Sequence, residues 1–269
     1  MCLGDIVSQA INLEVTKMKI VVVGAAGLIG TKTVEKLRAK GHDVVPASRS
    51  SGVNTVTGEG LAGAMQGADV VVDVSNSPNW EDKAVMEFFE TSTRNMLAAE
   101  ADAGVKHHVA LSVVGTEGLQ DSGYFRAKMA QENLIKSGKI PYTIVQATQF
   151  MEFLGGIAQF GTVGDEVHLS SMNLQPIAAD DVAEEMTAAC LNSPVNGTVE
   201  IGGPEKMRLC DFVEKYMRAT DDNRKVVSSP DTPYYGVVLK ENSLCPGAKG
   251  KQTPTSFDKW FKTEAVAKS

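Results

Sequence analysis

The stretch Lys19-Ile20-Val21-Val22-Val23-Gly24-Ala25-Ala26-Gly27-Leu28-Ile29-Gly30 decides the fold. Its unbroken apolar, β-branched opening reads as a strand buried on both faces, as strands of parallel sheets are. Three glycines follow, three residues apart, and Val34 and Leu37 then mark an amphipathic helix. At such a strand-to-helix turn glycine lets the backbone approach a pyrophosphate, whose charge the first N–H groups and positive end of the helix stabilise. Gly24, Ala26, Gly27, Leu28 and Ile29 are therefore candidate cofactor-binding residues, and Gly30 is expected to let the helix pack tightly on the sheet. The spacing is G-x-x-G-x-x-G, not G-x-G-x-x-G, so an ordinary tight turn competes; the strand and helix on either side favour a dinucleotide.

Outward from this turn the chain alternates apolar runs with helical periodicity, the pattern of βαβ units. Strands are expected over residues 20–23, 44–47, 70–74, 109–114 and 142–147, with a weaker one over 53–56. Val85, Phe88, Phe89, Met96 and Leu97 mark one helix between them. Ala127, Ala130 and Leu134 form the expected core face of another, and Gly41, Gly104 and Gly138 stand where C-terminal glycines belong. Beyond Phe150 the alternation loosens. A helix capped by Asp180 or Asp181 is expected there, then one carrying Leu209, Phe212, Val213, Tyr216 and Met217, a mobile loop over 241–256 and a last helix over 257–261. The expected fold is α/β, a doubly wound parallel sheet of Rossmann type with a smaller C-terminal substrate lobe.

Composition excludes other classes. In 269 residues, 26 basic against 33 acidic side chains give a net charge of −7, which argues against a nucleic-acid binder. No apolar run approaches the roughly 18 residues of a membrane span. Cys2, Cys190, Cys210 and Cys245 are scattered without a C-x-x-C pair, so neither a disulfide framework nor a zinc site is expected, and a reducing cytoplasm fits. Asp5 and Glu14 stand where a signal peptide would carry basic residues, so residues 1–17 read as an N-terminal extension, with Met18 an alternative start.

The strand over 44–47 ends in Ala47-Ser48-Arg49-Ser50. Arg49 lies 25 positions after Gly24, near the offset of roughly 20 at which NAD sites place a carboxylate on the ribose. A guanidinium there can pair with a 2′-phosphate while Ser48 and Ser50 donate hydroxyls, so NADP(H) is expected over NAD(H). A solvent-exposed loop arginine is the competing reading.

Ser112 lies near the end of the strand over 109–114, and Tyr124 and Lys128 follow four residues apart at the start of a helix. That spacing puts phenol and ammonium on one stripe, with Gln131, away from Ala127, Ala130 and Leu134. An adjacent ammonium stabilises a phenolate and lowers its pKa, which would make Tyr124 usable as acid or base. Ser112 would hold the substrate oxygen, while Ser75 and Asn76 line the cofactor at the end of the strand over 70–74. Chance Y-x-x-x-K matches are common, so position carries the weight.

Together these residues resemble the short-chain dehydrogenase/reductase superfamily, and within it the atypical branch similar to NmrA-like and isoflavone-reductase-like NAD(P)H-binding proteins. The likeness rests on the glycine turn, Asp69-Val70-Val71-Val72-Asp73-Val74, Leu111-Ser112-Val113-Val114-Gly115, Tyr124-Phe125-Arg126-Ala127-Lys128 and Pro141-Tyr142-Thr143-Ile144-Val145, and spans residues 18–223. It implies an NADP(H)-binding Rossmann domain over 18–150 and a substrate-binding lobe over 151–269 interleaved with it. It also implies that residues 146–150, Ala147 and Thr148 among them, approach the nicotinamide. Val74-Ser75-Asn76-Ser77 replaces the N-A-G motif of the main branch, so that branch's asparagine relay does not carry over. Tyr124 is retained, whereas redox-sensing regulators of the branch often lack a usable tyrosine.

Trp80, Phe150, Met151 and Phe153 follow strands at the ligand-binding edge and suggest an apolar or aromatic substrate, with lobe-closing core as the equal alternative. His107 and His108 fall at the opposite edge, with a surface or strand-cap role expected, and His42 and His168 show no metal-ligand pattern. The expected activity is an NADPH-dependent oxidoreductase acting on a small carbonyl, quinone or enone. A non-catalytic NADP(H)-sensing regulator and a non-redox epimerase, isomerase or dehydratase are the alternatives. Partners are expected to be a small-molecule substrate, neither nucleic acid nor membrane, with room for a homodimer; no metal is expected.

Overall fold

The computed structural model describes residues 17–268, so Cys2 and the extension before Lys17 lie outside the described residues. In chain order the first half comprises β1 (Lys19–Val23), α1 (Leu28–Ala39), β2 (Asp43–Ala47), α2 (Leu61–Met65), β3 (Val70–Asp73), α3 (Asp82–Ala103), β4 (His107–Val113), α4 (Gly123–Ser137) and β5 (Tyr142–Ala147). The second comprises α5 (Leu154–Phe160), β6 (Thr162–Val163), β7 (Glu166–Ser170), β8 (Asn173–Leu174), α6 (Ala179–Leu191), β9 (Gly197–Gly202), β10 (Met207–Arg208), α7 (Leu209–Ala219), β11 (Lys225–Ser229), β12 (Lys251–Gln252) and α8 (Phe257–Lys268).

Seven strands form one sheet in the order β12-β9-β5-β4-β3-β1-β2, and every pairing in it is parallel. Ile20, Val22, Val70, Val72 and Val109 pack under α1 and α6, while Val21, Val23 and Val71 pack on the opposite face with Met65 and Met96. Both faces are thus covered, which is why these strands read as continuous apolar runs. The chain steps from β1 outward to β2 and returns across β1 to β3, so the order reverses between β1 and β3 and opens a crevice at their carboxyl ends. Residues beyond 150 supply β9, β12 and α6 to this body. They also form a lobe whose core, with Leu154, Leu174, Phe212 and Phe257 among its members, is flanked by the small β11-β7-β6 and β10-β8 sheets.

Five expectations are corrected here. Residues 53–56 form a turn, not a strand: the Asn54 side chain accepts the N–H groups of Val56 and Thr57, and Asn95 of α3 donates to the Thr55 and Val56 carbonyls. Local side-chain bonds of this kind displace ladder bonds. Asp180 and Asp181 occupy the first turn of α6, and Ala178 is its cap residue. Residues 241–256 are no loose loop, because β12 pairs with β9 there and Leu244 and Cys245 are buried. Gly138 ends α4 in an extended conformation, unlike Gly104, which ends α3 in the left-handed one.

The fifth concerns His107 and His108, which are buried in β4 itself. His107 Nε2 lies 2.9 Å from Thr143 Oγ1, and burial, with the neighbouring His108 adding, pushes its pKa down from 6.5 to about 4. The unfolded chain therefore binds more protons between these values, and stability falls as the pH drops through that window. Replacing His107 with Asn is expected to remove about 2 kcal/mol of this acid loss, after allowance for partial solvation. The readout is a flatter urea midpoint from pH 6.5 to 4; parallel wild-type and variant curves would oppose the assignment.

Candidate functional site

The glycine turn sits at the β1/β3 crevice. Gly24 and Ala25 both donate backbone N–H groups to the Ala47 carbonyl, at 3.0 and 3.3 Å, which ties the turn to the end of β2. Gly24 has φ +83°, and a side chain on it would stand 2.8 Å from the Ser75 nitrogen and the Val74 carbonyl. On Gly30 a side chain would meet the Gly24 carbonyl oxygen at 2.1 Å, so glycine there is a packing requirement. Gly27 precedes α1 with no side-chain cap, leaving first-turn N–H groups for a ligand. Ala26, Gly27 and Leu28 are exposed, whereas the Ile29 side chain belongs to the core and offers only its backbone. This cradle fits the pyrophosphate of a dinucleotide.

Beyond β2, residues 49–51 form a short 3₁₀ turn closed by reciprocal bonds between Ser48 and Ser51. The Ser48 and Ser50 hydroxyls lie 2.8 Å apart, and the exposed Arg49 guanidinium makes no hydrogen bond or ion pair among the described residues. Across the crevice, Ser75 donates its N–H and hydroxyl to Asp73 Oδ1 at 2.9 and 2.6 Å. Asn76 is exposed and its side chain accepts the Ser77 N–H. At the end of β5, Ala147 is buried and Thr148 spends its hydroxyl on the Gln175 carbonyl at 2.6 Å.

Tyr124 and Lys128 do share a stripe of α4, and both rest against Phe89: the ring centroids of Tyr124 and Phe89 are 6.1 Å apart, and Lys128 Nζ is 4.5 Å from the Phe89 centroid. The ammonium, however, runs inward and donates to the Leu111 carbonyl at 2.9 Å and to the Gln131 side-chain oxygen. Burial pushes the Tyr124 phenol up to about 12, the reverse of the lowering expected from an adjacent ammonium. Burial also brings Lys128 down to about 8, against the opposing pull of Asp73 and Glu132. Ser112 is likewise turned inward, donating to Glu132 Oε1 at 2.6 Å.

The face of α4 expected to be free is thus its buried one. Lys128, Gln131 and Glu132 are each at most 3% exposed and lie on the sheet, while Ala127 packs against Val85 and Phe89 of α3. Glu132 also accepts Gln146 Nε2 at 2.8 Å and Lys136 Nζ at 2.9 Å, and Gln131 donates to Asp73 Oδ2 at 2.8 Å. Asp73 and Glu132 carry no site expectation from the sequence, and Gln146 enters it only as the first residue of the stretch 146–150. A carboxylate within the apolar run Val70-Val71-Val72-Asp73-Val74 was the available signal, because a buried charge needs partners.

Of the candidate substrate side chains, Trp80 and Phe153 are exposed at 67% and 52%, and Met151 is fully buried core. Trp80 stands 5.5 Å from Tyr124, and Phe150 stacks on Phe153 at 5.3 Å. A separate cleft of about 500 Å³, lined by Thr116, Gln146, Glu200 and Lys249 among others, lies beside β9 and meets the stretch expected to approach the nicotinamide at Gln146 alone. Among the described residues no cluster suited to a metal ion occurs, and no helix is long and apolar enough to cross a membrane.

Comparison with known proteins agrees with this geometry. The family described as NAD(P)H-binding matches residues 24–194. The photosystem II assembly factor Ycf39 of a Synechocystis species is 24% identical over 239 residues, covering 79% of this chain and 71% of that protein. A dTDP-4-dehydrorhamnose reductase ortholog from Clostridium acetobutylicum superposes with a TM-score of 0.74 at 17% identity, over 94% of this chain and all of that one. The dTDP-4-dehydrorhamnose reductase of Bacillus anthracis, solved in complex with NADP, gives 0.70 at 16% identity, over 93% and 99% of the two chains. With a family match across most of its parallel sheet and a phosphate cradle at the switch point, the chain belongs to the NAD(P)H-binding family.

Proposed function

We propose that the chain is an NADPH-dependent oxidoreductase that reduces a carbonyl, quinone or enone of a small, apolar molecule. The observation that carries this reading is Tyr124, whose hydroxyl makes no hydrogen bond to any described residue and which opens α4 at the carboxyl edge of the sheet, the edge of the glycine turn. A bound nicotinamide supplies the hydride. Tyr124 supplies the proton: a phenol pushed up to about 12 is fully protonated at neutral pH and suits an oxygen gaining negative charge. The reverse reaction needs the phenolate, which burial disfavours. Lys128 and Ser112 serve here as positioning residues, holding α4 against β4 through Leu111 and Glu132.

Arg49 and the Ser48 and Ser50 hydroxyls are proposed to take the 2′-phosphate. Arg49→Ala is expected to weaken NADPH by about 1.5–3 kcal/mol, the scale of a charged hydrogen bond, and to leave NADH almost unchanged. Equal losses for both nucleotides, measured by fluorescence titration, would remove the assignment. The activity itself is tested by NADPH consumption against quinones, aldehydes, ketones and enones. Tight NADPH binding with no consumption would favour a second reading, a cofactor-binding protein without turnover. The inward bonds of Ser112 and Lys128, and the assembly-factor names of the Ycf39 relatives, speak for that second reading.

A further inference from the structure

We propose that the cleft beside β9, apart from the glycine turn, is a binding site for a small amino acid, with the ligand's ammonium at Gln146 and Glu200 and its carboxylate at Lys249. The proposal concerns binding alone and stands whether or not the chain turns NADPH over.

Ser112, Gln146 and Glu200 are register partners on three neighbouring strands, β4, β5 and β9, so their side chains stand in one row on one face of the sheet. From α4, Glu132 reaches the first two: Ser112 Oγ donates to its Oε1 at 2.6 Å and Gln146 Nε2 at 2.8 Å. Lys136 Nζ donates to the same carboxylate at 2.9 Å. A carboxylate ringed by three donors only accepts, so the Gln146 amide must turn its nitrogen to Glu132 and its oxygen away. That oxygen bonds to no described residue, and Gln146, only 6% exposed, opens on the cleft. An acceptor fixed in this way on a largely buried side chain calls for a donor.

Helix α4 packs on β4 and β5, and Glu200, one strand further along the row, faces the cleft. Glu200 Oε2 accepts the Gly247 N–H at 2.7 Å, and Gly250 donates to the Gly247 carbonyl at 2.8 Å, so the stretch that carries Lys249 is a fixed wall. Glu117, after β4, adds a second carboxylate to the lining. The exposed Lys249 makes no hydrogen bond or ion pair among the described residues and supplies the positive charge. A simple anion would be repelled by the two carboxylates, and a simple amine would leave Lys249 unmatched; a zwitterion meets both signs. The volume, about 500 Å³, lies within the roughly 300–1,000 Å³ of small-molecule sites.

Titration calorimetry of the whole protein with glycine, 4-aminobutyrate and 6-aminohexanoate tests the site, with butylamine and butyrate as singly charged controls. At least one amino acid is expected to bind saturably below about 10 mM, and each control about tenfold more weakly. Lys249→Met should bring that amino acid down to the level of butylamine. Glu200→Gln, which keeps an acceptor for Gly247, should weaken the amino acid and butylamine about tenfold, with melting temperature and NADPH affinity unchanged in both variants. Gln146→Met should weaken the same two ligands about tenfold, while Glu132 keeps Ser112 and Lys136. Butyrate binding as well as the amino acids, or affinities untouched by all three substitutions, would overturn the assignment. So would the absence of saturable binding of every amino acid to the wild type, an outcome that leaves the oxidoreductase reading intact.

Discussion

Tyr124→Phe is expected to lower kcat by about 10²–10⁴-fold, the usual contribution of a positioned proton donor, while NADPH affinity stays within about twofold. The substitution deletes one oxygen that has no partner among the described residues, so no buried acceptor is orphaned. The ring keeps its packing on Trp80, Phe89 and Phe125, at centroid distances of 5.5, 6.1 and 5.8 Å, and α4 keeps its place. The wild-type phenol stays protonated beyond the ordinary tyrosine range, so a rate that falls as the pH rises through about 8 reports Lys128 instead. Loss of that proton leaves Asp73 and Glu132 without their shared cation. Steady-state kinetics with NADPH, run beside a cofactor titration, checks both parts. Unchanged kcat in Tyr124→Phe would remove the residue from the chemistry, and a matching loss of cofactor affinity would make it a binding residue.

The parts of the fold that were legible in the chain are those where one local pattern had no rival. Ile20 to Val23 followed by Gly24, Gly27 and Gly30 allows few alternatives, because the packing at Gly24 and Gly30 leaves no space for a side chain. Residues 53–56 misled because their β-branched composition reads as strand, while Asn54 offers the backbone closer partners. β9 and β12 were missed for another reason. They join the sheet by pairing with strands far away in sequence, and neither the half-exposed β9 nor the exposed two-residue edge strand β12 shows apolar periodicity.

The site shows the same division. The positions of Tyr124 and Lys128 on one stripe follow from helix geometry, and the direction of each head group does not. Tertiary partners decide that: the Leu111 carbonyl and Gln131 draw Lys128 inward, and Glu132 draws Ser112. A helix stripe of Lys128, Gln131 and Glu132 reads as solvent-facing by polarity alone, yet here it lies on Asp73, Ser112 and Gln146 of the sheet.

Glu100→Leu is expected to cost about 3–5 kcal/mol of stability, the largest loss foreseen for a single substitution outside the reacting groups. Glu100 in α3 and His108 in β4 are both fully buried, and His108 Nδ1 lies 2.8 and 3.0 Å from the two carboxylate oxygens. Burial pulls the imidazole pKa down, but Glu100, with Asp73 assisting, lifts it above 6.5 overall, so the pair is ionic in the folded chain. Asp73 also acts on Lys128, as does Glu132, so charges alternate beneath the site from Glu100 through His108, Asp73 and Lys128 to Glu132. Removing Glu100 alone leaves the buried His108 either to hold its proton without its main partner or to give it up, and in both cases Nδ1 loses the carboxylate it faces. The double variant Glu100→Leu with His108→Leu removes both charges and should recover part of the loss, because neither partner then remains unpaired. The sign of the pH dependence follows: a raised folded pKa contributes stability that is full below 6.5 and fades as the pH rises through the folded value, so the gap between wild type and Glu100→Leu should narrow in alkali. Urea unfolding of the three proteins across pH decides the matter. Equal losses in single and double variants would mean that packing volume, and not charge, sets the cost of the pair.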